Sequence, residues 1–148
     1  MRLALDEASG ALAHDDVPVG AVVLVNGMVV ARRHNERQKR QDPTAHAEML
    51  ALSDAALAVG NWRLNNATLV VTLEPCPMCA GAAVASRLAR LVFGTHDPKA
   101  GATGSLYDIC RDDRLNHQVD VESGVLAAQC GDILRSFFQA RRRPPTEA

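Results

Sequence analysis

The chain has 148 residues, 47% of them apolar, which suffices for one packed domain and argues against a disordered chain. Its formal net charge of −1 removes any bulk electrostatic case for nucleic acid. The cations are unusual in kind, since all sixteen are arginines except Lys39 and Lys99. Phosphate and base recognition or the composition of the genome explain that bias equally well.

Met1 to Ala13 reads as a helix, with Leu5, Ala8 and Leu12 along one face. Its start, almost at the first residue, points to a trimmed or misassigned N-terminus. Val17 to Gly20 is a turn into the β-prone run Ala21 to Val25. Asn26-Gly27 is a hairpin signal, and Met28 to Ala31 returns as the partner strand. Both strands are apolar at consecutive positions, which predicts a sheet covered on both faces. Arg32 to Gln41 carries Arg32, Arg33, Arg37, Lys39 and Arg40. By position it reads as a solvated loop; the alternative is a surface for phosphates. Asp42-Pro43 predicts a helix start, with aspartate as N-cap and proline in the first turn. That helix would run to Val59 as a buried element, with His46, Leu50, Ser53 and Leu57 on a common face.

Gly60 to Asn66 interrupts the pattern, and Thr68 to Leu73 has the composition of a central strand. It runs into Glu74-Pro75-Cys76-Pro77 and a second helix, Met78 to Ser86, whose alanines and Gly81 allow close packing. Arg90 to Phe93 is a further strand. Asp97 to Ser105 is a glycine-rich loop without the spacing of a P-loop. Gln118 to Glu122 alternates as a strand with one wetter face. The last helix carries Leu126, Cys130, Ile133, Leu134, Phe137 and Phe138 at helical spacing, then Arg141 to Arg143 and a Pro-Pro tail expected to fray. There are no internal repeats and no interdomain linker. The alternation of helices with two-sided apolar strands predicts a three-layer α/β/α domain with a mixed, mostly five-stranded sheet over residues 1–148. No apolar run reaches membrane-spanning length and no signal peptide precedes the first helix, so a cytoplasmic protein with reduced thiols is expected.

Two short runs carry chemistry: His46-Ala47-Glu48 and Pro75-Cys76-Pro77-Met78-Cys79. Zinc takes nitrogen and thiolate sulfur in tetrahedral geometry, and a catalytic site keeps one position for water. His46, Cys76 and Cys79 are thus candidate ligands, and Glu48 is a carboxylate left for another task. Cys-x-x-Cys alone also suits a redox pair or half of a structural zinc site, and His-x-Glu alone is weak. Together they form the zinc-deaminase signature. Residues i and i+2 of a helix point about 200° apart, so His46 and Glu48 serve one centre only if it lies off the helix end. The expected place is between two helix N-termini, at the carboxyl ends of the strands. In this reading Glu48 takes a proton from the catalytic water, passes it to a ring nitrogen and later protonates the departing ammonia. Cys110 and Cys130 lack ligand spacing and read as buried small side chains. His14, His34, His96 and His117 have no motif context.

The signature does not choose among cytidine, cytosine, guanine and adenosine. From Val17 to Arg143, however, the chain resembles bacterial tRNA-specific adenosine deaminases of the TadA type. The shared stretches include Val17 to Ala21, Asp42 to Glu48 and Thr72 to Ala82. Less generic are Val92 to Ala102 with Gly104 to Leu106, Leu115 to His117, Gly124 to Leu126, and Phe137-Phe138 ahead of the arginines. The resemblance implies a cytidine-deaminase-like fold, one CMP/dCMP-type zinc deaminase domain, one Zn²⁺ and a catalytic water per subunit, and a homodimer. It further implies conversion of adenosine to inosine at the wobble position of an arginine tRNA anticodon. By the same resemblance His46, Cys76 and Cys79 are the metal ligands and Glu48 the proton shuttle. Asn35 matches an asparagine that contacts the flipped base, Asp97 and Lys99 a loop that approaches the anticodon strand, and the last helix the RNA-facing end. Residues that usually precede the family's first helix are missing. With so little net charge, RNA binding would need a local patch of Arg33, Arg37, Lys39, Arg40 and the C-terminal arginines. A deaminase of a free base or nucleoside is the alternative. A zinc-stapled binding module would need a fourth protein ligand, for which Cys110 is the nearest candidate.

Overall fold

The apolar runs and turn signals form alternating elements in the order that their spacing predicts. A computed structural model describes residues 1–142. Its elements are α1 (Arg2–Gly10), β1 (Gly20–Val25), β2 (Met28–His34), α2 (Arg37–Arg40), α3 (Ala47–Val59), β3 (Ala67–Leu73), α4 (Pro77–Ala85), β4 (Arg90–Thr95), β5 (Asp120–Glu122) and α5 (Ala127–Arg142). Asn26 (φ 52°) and Gly27 (φ 77°) turn the first hairpin with left-handed backbone, as a type I′ turn requires.

The sheet has the order β2-β1-β3-β4-β5. β1 is antiparallel to both neighbours, whereas β3, β4 and β5 run parallel. Successive residues of a strand face opposite sides, and the two sides bury different sets. Val23, Leu69, Val71, Leu91 and Phe93 pack with α3 and α4. On the other face, Val22, Val70 and Val92 pack with Ala4 of α1, while α5 lies along β4. Two close approaches hold these layers. A Cβ on Gly20 would overlap the Ala4 carbonyl, and one on Gly94 would overlap Cys130 of α5. The result is the three-layer α/β/α fold with a mixed five-stranded sheet. Among the described residues no helix is long and apolar enough to cross a membrane.

Three local expectations are corrected. Two-sided burial holds for β1 but not for β2, where Met28 is 71% exposed. The two strands have similar apolar runs, and only the position of β2 at the sheet edge separates them. Asp42-Pro43 does not begin a helix. Asp42 Oδ1 accepts bonds from the Thr44 N–H and hydroxyl, a local turn that Asp favours, and α3 begins later with His46 as its N-cap. Finally, α3 buries Ala47, Glu48, Ala51, Leu52 and Ala55, while Leu57 is 81% exposed. A helix apolar nearly all round has no periodic stripe to say which face turns inward.

Candidate active site

The carboxyl end of β3 leads directly into α4, so that Cys76 becomes the N-cap and Pro77 occupies the first turn. Proline is suited there, because it lacks an N–H that would have no helical partner. Cys79 follows one turn on. Across from it, His46 caps α3 with extended backbone (φ −73°, ψ 148°). Neither cap side chain bonds its own helix, and both turn to the space between the two helix ends. Because His46 is outside the helix proper, the 200° separation from Glu48 does not apply, and imidazole and carboxylate reach the same place.

His46 Nδ1 lies 3.6 Å from Cys76 Sγ and 3.5 Å from Cys79 Sγ. All three donor atoms lie within 4.8 Å of one another. Zinc–sulfur bonds of about 2.3 Å and a zinc–nitrogen bond of about 2.05 Å, set at a tetrahedral angle, place N and S about 3.6 Å apart. The observed spacing is that edge, so the donor set fits zinc in distance as well as in chemistry. Among the described residues this is the one such group of His, Cys, Asp and Glu. Cys110, the nearest candidate for a fourth ligand, does not join it, and burial pushes its thiol up to about 12.

The charges are arranged to suit a cation. The Cys79 thiol and His46 hydrogen-bond to Cys76 and bring it down to about 4 against the opposing effect of burial. The same Cys76 contact, together with burial, pushes the Cys79 thiol up. A metal cation would release that second proton on binding. His46 is raised by the Cys76 hydrogen bond and by the Glu48 charge, against burial. Glu48 is 4% exposed, and burial lifts its carboxyl above the ordinary range although Cys79 and His46 favour the charged form. A carboxyl moved toward neutrality is suited to take and return a proton.

His46, Glu48 and Cys76 line a cavity of about 600 Å³, within the range of small-molecule sites. Val17, Val19 and Leu73 supply apolar wall, and the loop after β4 and the end of α5 supply the rest. Asn35 lies in the wall and is 5% exposed. Its amide donates to Val17 O at 3.0 Å and its Oδ1 accepts from the Ala47 N–H at 2.8 Å, tying the first N–H of α3 to the end of β2. Asp97 also lines the cavity, but its Oδ1 closes its own turn by accepting from the N–H groups of Lys99 and Ala100. Lys99 stands exposed beside it.

Sequence reasoning missed Glu74. It is 2% exposed and accepts bonds from the Asp97, Thr103 and Ser105 N–H groups at 3.0–3.1 Å, from the Ser105 hydroxyl, and from His96. A Cβ on Gly101 would overlap its carboxylate. One buried carboxylate therefore organises the loop that walls the cavity. The available signal was a charged residue ending an apolar strand, together with a later glycine-rich loop whose N–H groups lacked evident partners.

The expected basic patch does not assemble from all its members. Arg33 pairs with Asp54 and Glu36, and Arg40 and Lys39 pair with Glu36. Arg141 turns to Asp15 and the Phe137 ring. Arg37 and Arg142 do line the cavity, and Arg143 and the Pro-Pro tail lie outside the described residues. Cys130 is fully buried. His14 and His117 bond the carbonyls of Asn35 and Leu88, and His34 pairs with Glu7.

The family model of the MafB19-like deaminases matches residues 1–142. The chain belongs to this deaminase family. This deaminase is 50% identical to a tRNA-specific adenosine deaminase of Bacillus subtilis (strain 168), over 97% of its own length and 89% of the relative's. It also superposes with TM-score 0.87 and 43% identity on a structure from a study of A-to-I editing by tRNA:A34 deaminases at the wobble position of transfer RNA. That match covers 90% of this chain and 97% of the other. A guanine deaminase from Nitrosomonas europaea superposes with TM-score 0.79 at 24% identity, covering 90% of this chain and 80% of that one, and shares the fold. The TadA-type resemblance, the cytidine-deaminase-like fold and the assignment as an enzyme therefore stand.

Proposed function

We propose that this deaminase converts adenosine to inosine at the wobble position of a tRNA anticodon, that of arginine tRNA. The observation that carries the reading is the buried Glu48 beside the His46–Cys76–Cys79 donor set, against a cavity walled by the Asp97–Ser105 loop and α5. These later walls belong to the segments that resemble the tRNA enzymes. Lys99, Arg37 and Arg142 bring positive charge to the same opening, which suits a phosphodiester chain better than a free base. An anticodon loop also lowers the cost of placing a base in the cavity, because its bases are unpaired.

His46, Cys76 and Cys79 are proposed to hold one zinc ion. When bound, zinc with three protein ligands leaves a position for water and lowers that water's pKa toward neutrality. Glu48 then does the proton work. It receives a proton from the water that adds to C6 of adenine and delivers it to ring N1. It next moves the remaining proton of that oxygen to the amino group, which leaves as ammonia while the C6 carbonyl forms. Water and adenosine thus become inosine and ammonia in balance. The apolar wall of Val17, Val19 and Leu73 limits competing water. Asn35 is proposed to contact the base through the second N–H of its amide, which has no partner among the described bonds. Asp97 shapes the loop that presents Lys99 to the strand.

The reading includes a single deaminase domain, a cytoplasmic location and a homodimer. Leu57 and Trp62 leave large apolar area exposed at and beyond the end of α3, a property of association surfaces. Incubation with an arginine-tRNA anticodon stem-loop, and separately with guanine, cytosine and cytidine, tests the substrate. Inosine should form in the RNA alone. Turnover of a free base or nucleoside with inert RNA would replace this reading by the small-substrate one.

A further inference from the structure

Five cations follow one another between residues 32 and 40, and the fold treats four of them alike. Arg32 pairs with Glu7 at 3.1 Å, Arg33 with Asp54 at 3.0 Å and with Glu36, and Lys39 and Arg40 with Glu36. Glu36 is 6% exposed and holds three of the four. The fifth, Arg37, has no carboxylate or hydrogen-bond partner for its guanidinium among the described residues, and it is the member of the run that lines the active-site cavity.

The placement of Arg37 is built rather than incidental. Asp16, 1% exposed, accepts from the Gln38 N–H at 3.0 Å and from the Lys39 N–H at 3.4 Å, which anchors α2 immediately after Arg37. The Glu36 N–H donates to Ala45 O, and the Asp42 N–H donates to Arg37 O, so both sides of the residue are tied to the segment leading into α3. A guanidinium held at a cavity mouth offers several N–H donors in a fixed plane, the geometry that matches phosphate oxygens. Within the cavity Glu74 accepts from its own loop and Asp97 Oδ1 from its own turn, and neither forms an ion pair with Arg37 among the described residues.

We infer that Arg37 is a phosphate-binding residue that grips the RNA backbone beside the nucleotide entering the cavity. This rests on the RNA reading above and deepens it: Arg37 makes the site select a base within a strand over the same base free in solution. The neighbouring cations do not share the task, because each is ion-paired with Glu7, Asp54 or Glu36 and none of them lines the cavity.

Binding of a fluorescent anticodon stem-loop to the full chain, measured against salt concentration, tests this without requiring turnover. Arg37→Ala should weaken binding about tenfold at low salt, as loss of one charge-assisted hydrogen bond does. It should also reduce the slope of log affinity against log salt by about 0.7, the release expected for one single-strand phosphate contact. Arg37→Lys should keep the slope while recovering part of the affinity. Arg63→Ala, which removes a cation outside the cavity lining, should change neither. In turnover, Arg37→Ala should raise KM for the stem-loop with kcat retained. An unchanged slope in Arg37→Ala would overturn the inference. So would a loss seen equally with adenosine monophosphate, which would make the residue a mononucleotide contact. If the wild-type chain binds the stem-loop with the predicted Arg37 dependence but forms no inosine, the inference stands and the proposed reaction falls. If it does not bind the stem-loop at all, both fall.

Discussion

Glu74→Gln isolates what the buried carboxylate does, because size is kept while one oxygen becomes an N–H₂ donor. The five groups facing Glu74 divide into two sets. Oε2 accepts from the Thr103 and Ser105 N–H groups, and Oε1 accepts from the Asp97 N–H, the Ser105 hydroxyl and His96. An amide placed on the Oε2 side would meet two backbone N–H groups that cannot reverse polarity. On the Oε1 side the Ser105 hydroxyl can turn and His96 can present an unprotonated nitrogen, so only the Asp97 N–H loses its acceptor. Glutamine should therefore adopt that orientation. One orphaned N–H costs about 1–3 kcal/mol, and changing the remaining charge-assisted bonds to neutral ones costs roughly 1 kcal/mol more, for a loss of about 2–4 kcal/mol. With a urea slope of about 2 kcal/mol per molar, the unfolding midpoint should fall by about 1–2 M. Amide hydrogen exchange should locate the damage, with Asp97 losing protection before Thr103 and Ser105. A midpoint unchanged from wild type, or loss of protection first at Thr103 and Ser105, would refute this reasoning.

Glu48→Gln should lower deamination by about 10²-fold or more, the usual reach of a general acid–base group, while metal content and stem-loop affinity persist; retained activity would remove the proton-shuttle role. A chelator should abolish turnover and lower Tm, since a ligand present at about 1,000 times its Kd stabilises by about 4 kcal/mol, and zinc should restore both. Cys110→Ser should leave metal content intact, because Cys110 is outside the donor group. Burial opposes ionisation of Glu36, but the Arg40 hydrogen bond and the charges of Arg33, Arg40 and Lys39 outweigh it and hold its carboxyl low. A lowered folded pKa adds stability above the unfolded value of about 4.3, and this is lost as pH falls through the folded value. The stability gap between wild type and Glu36→Gln should thus be present at pH 5 and shrink toward pH 3, as thermal melts can show. A gap of equal size at pH 3 would argue against the charge as its source.

The candidate site was legible in the sequence because its parts are local. His46 to Glu48 and Cys76 to Cys79 are short runs beside helix starts, and spacing alone confines their donors to helix ends. The element order was also legible, since apolar strands, Asn26-Gly27 and Pro77 act through neighbours in the chain. The start of α3 was misplaced for an equally local reason, because Asp42-Pro43 carries cap chemistry that a turn uses just as well. Other features were settled only by packing. β1 and β2 share an apolar composition, yet one is enclosed and the other ends the sheet. α3 has no polar stripe, so contact with the sheet decides which residues it buries. The clearest case is the basic run from Arg32 to Arg40. Composition gives five equal cations there, whereas the fold brings Glu7, Glu36 and Asp54 to four of them and leaves Arg37 at the cavity. Glu74 is similar, a single carboxylate whose partners lie more than twenty residues away. Local chemistry is written in short spacings, but the pairing of charges depends on which distant segments the sheet brings together.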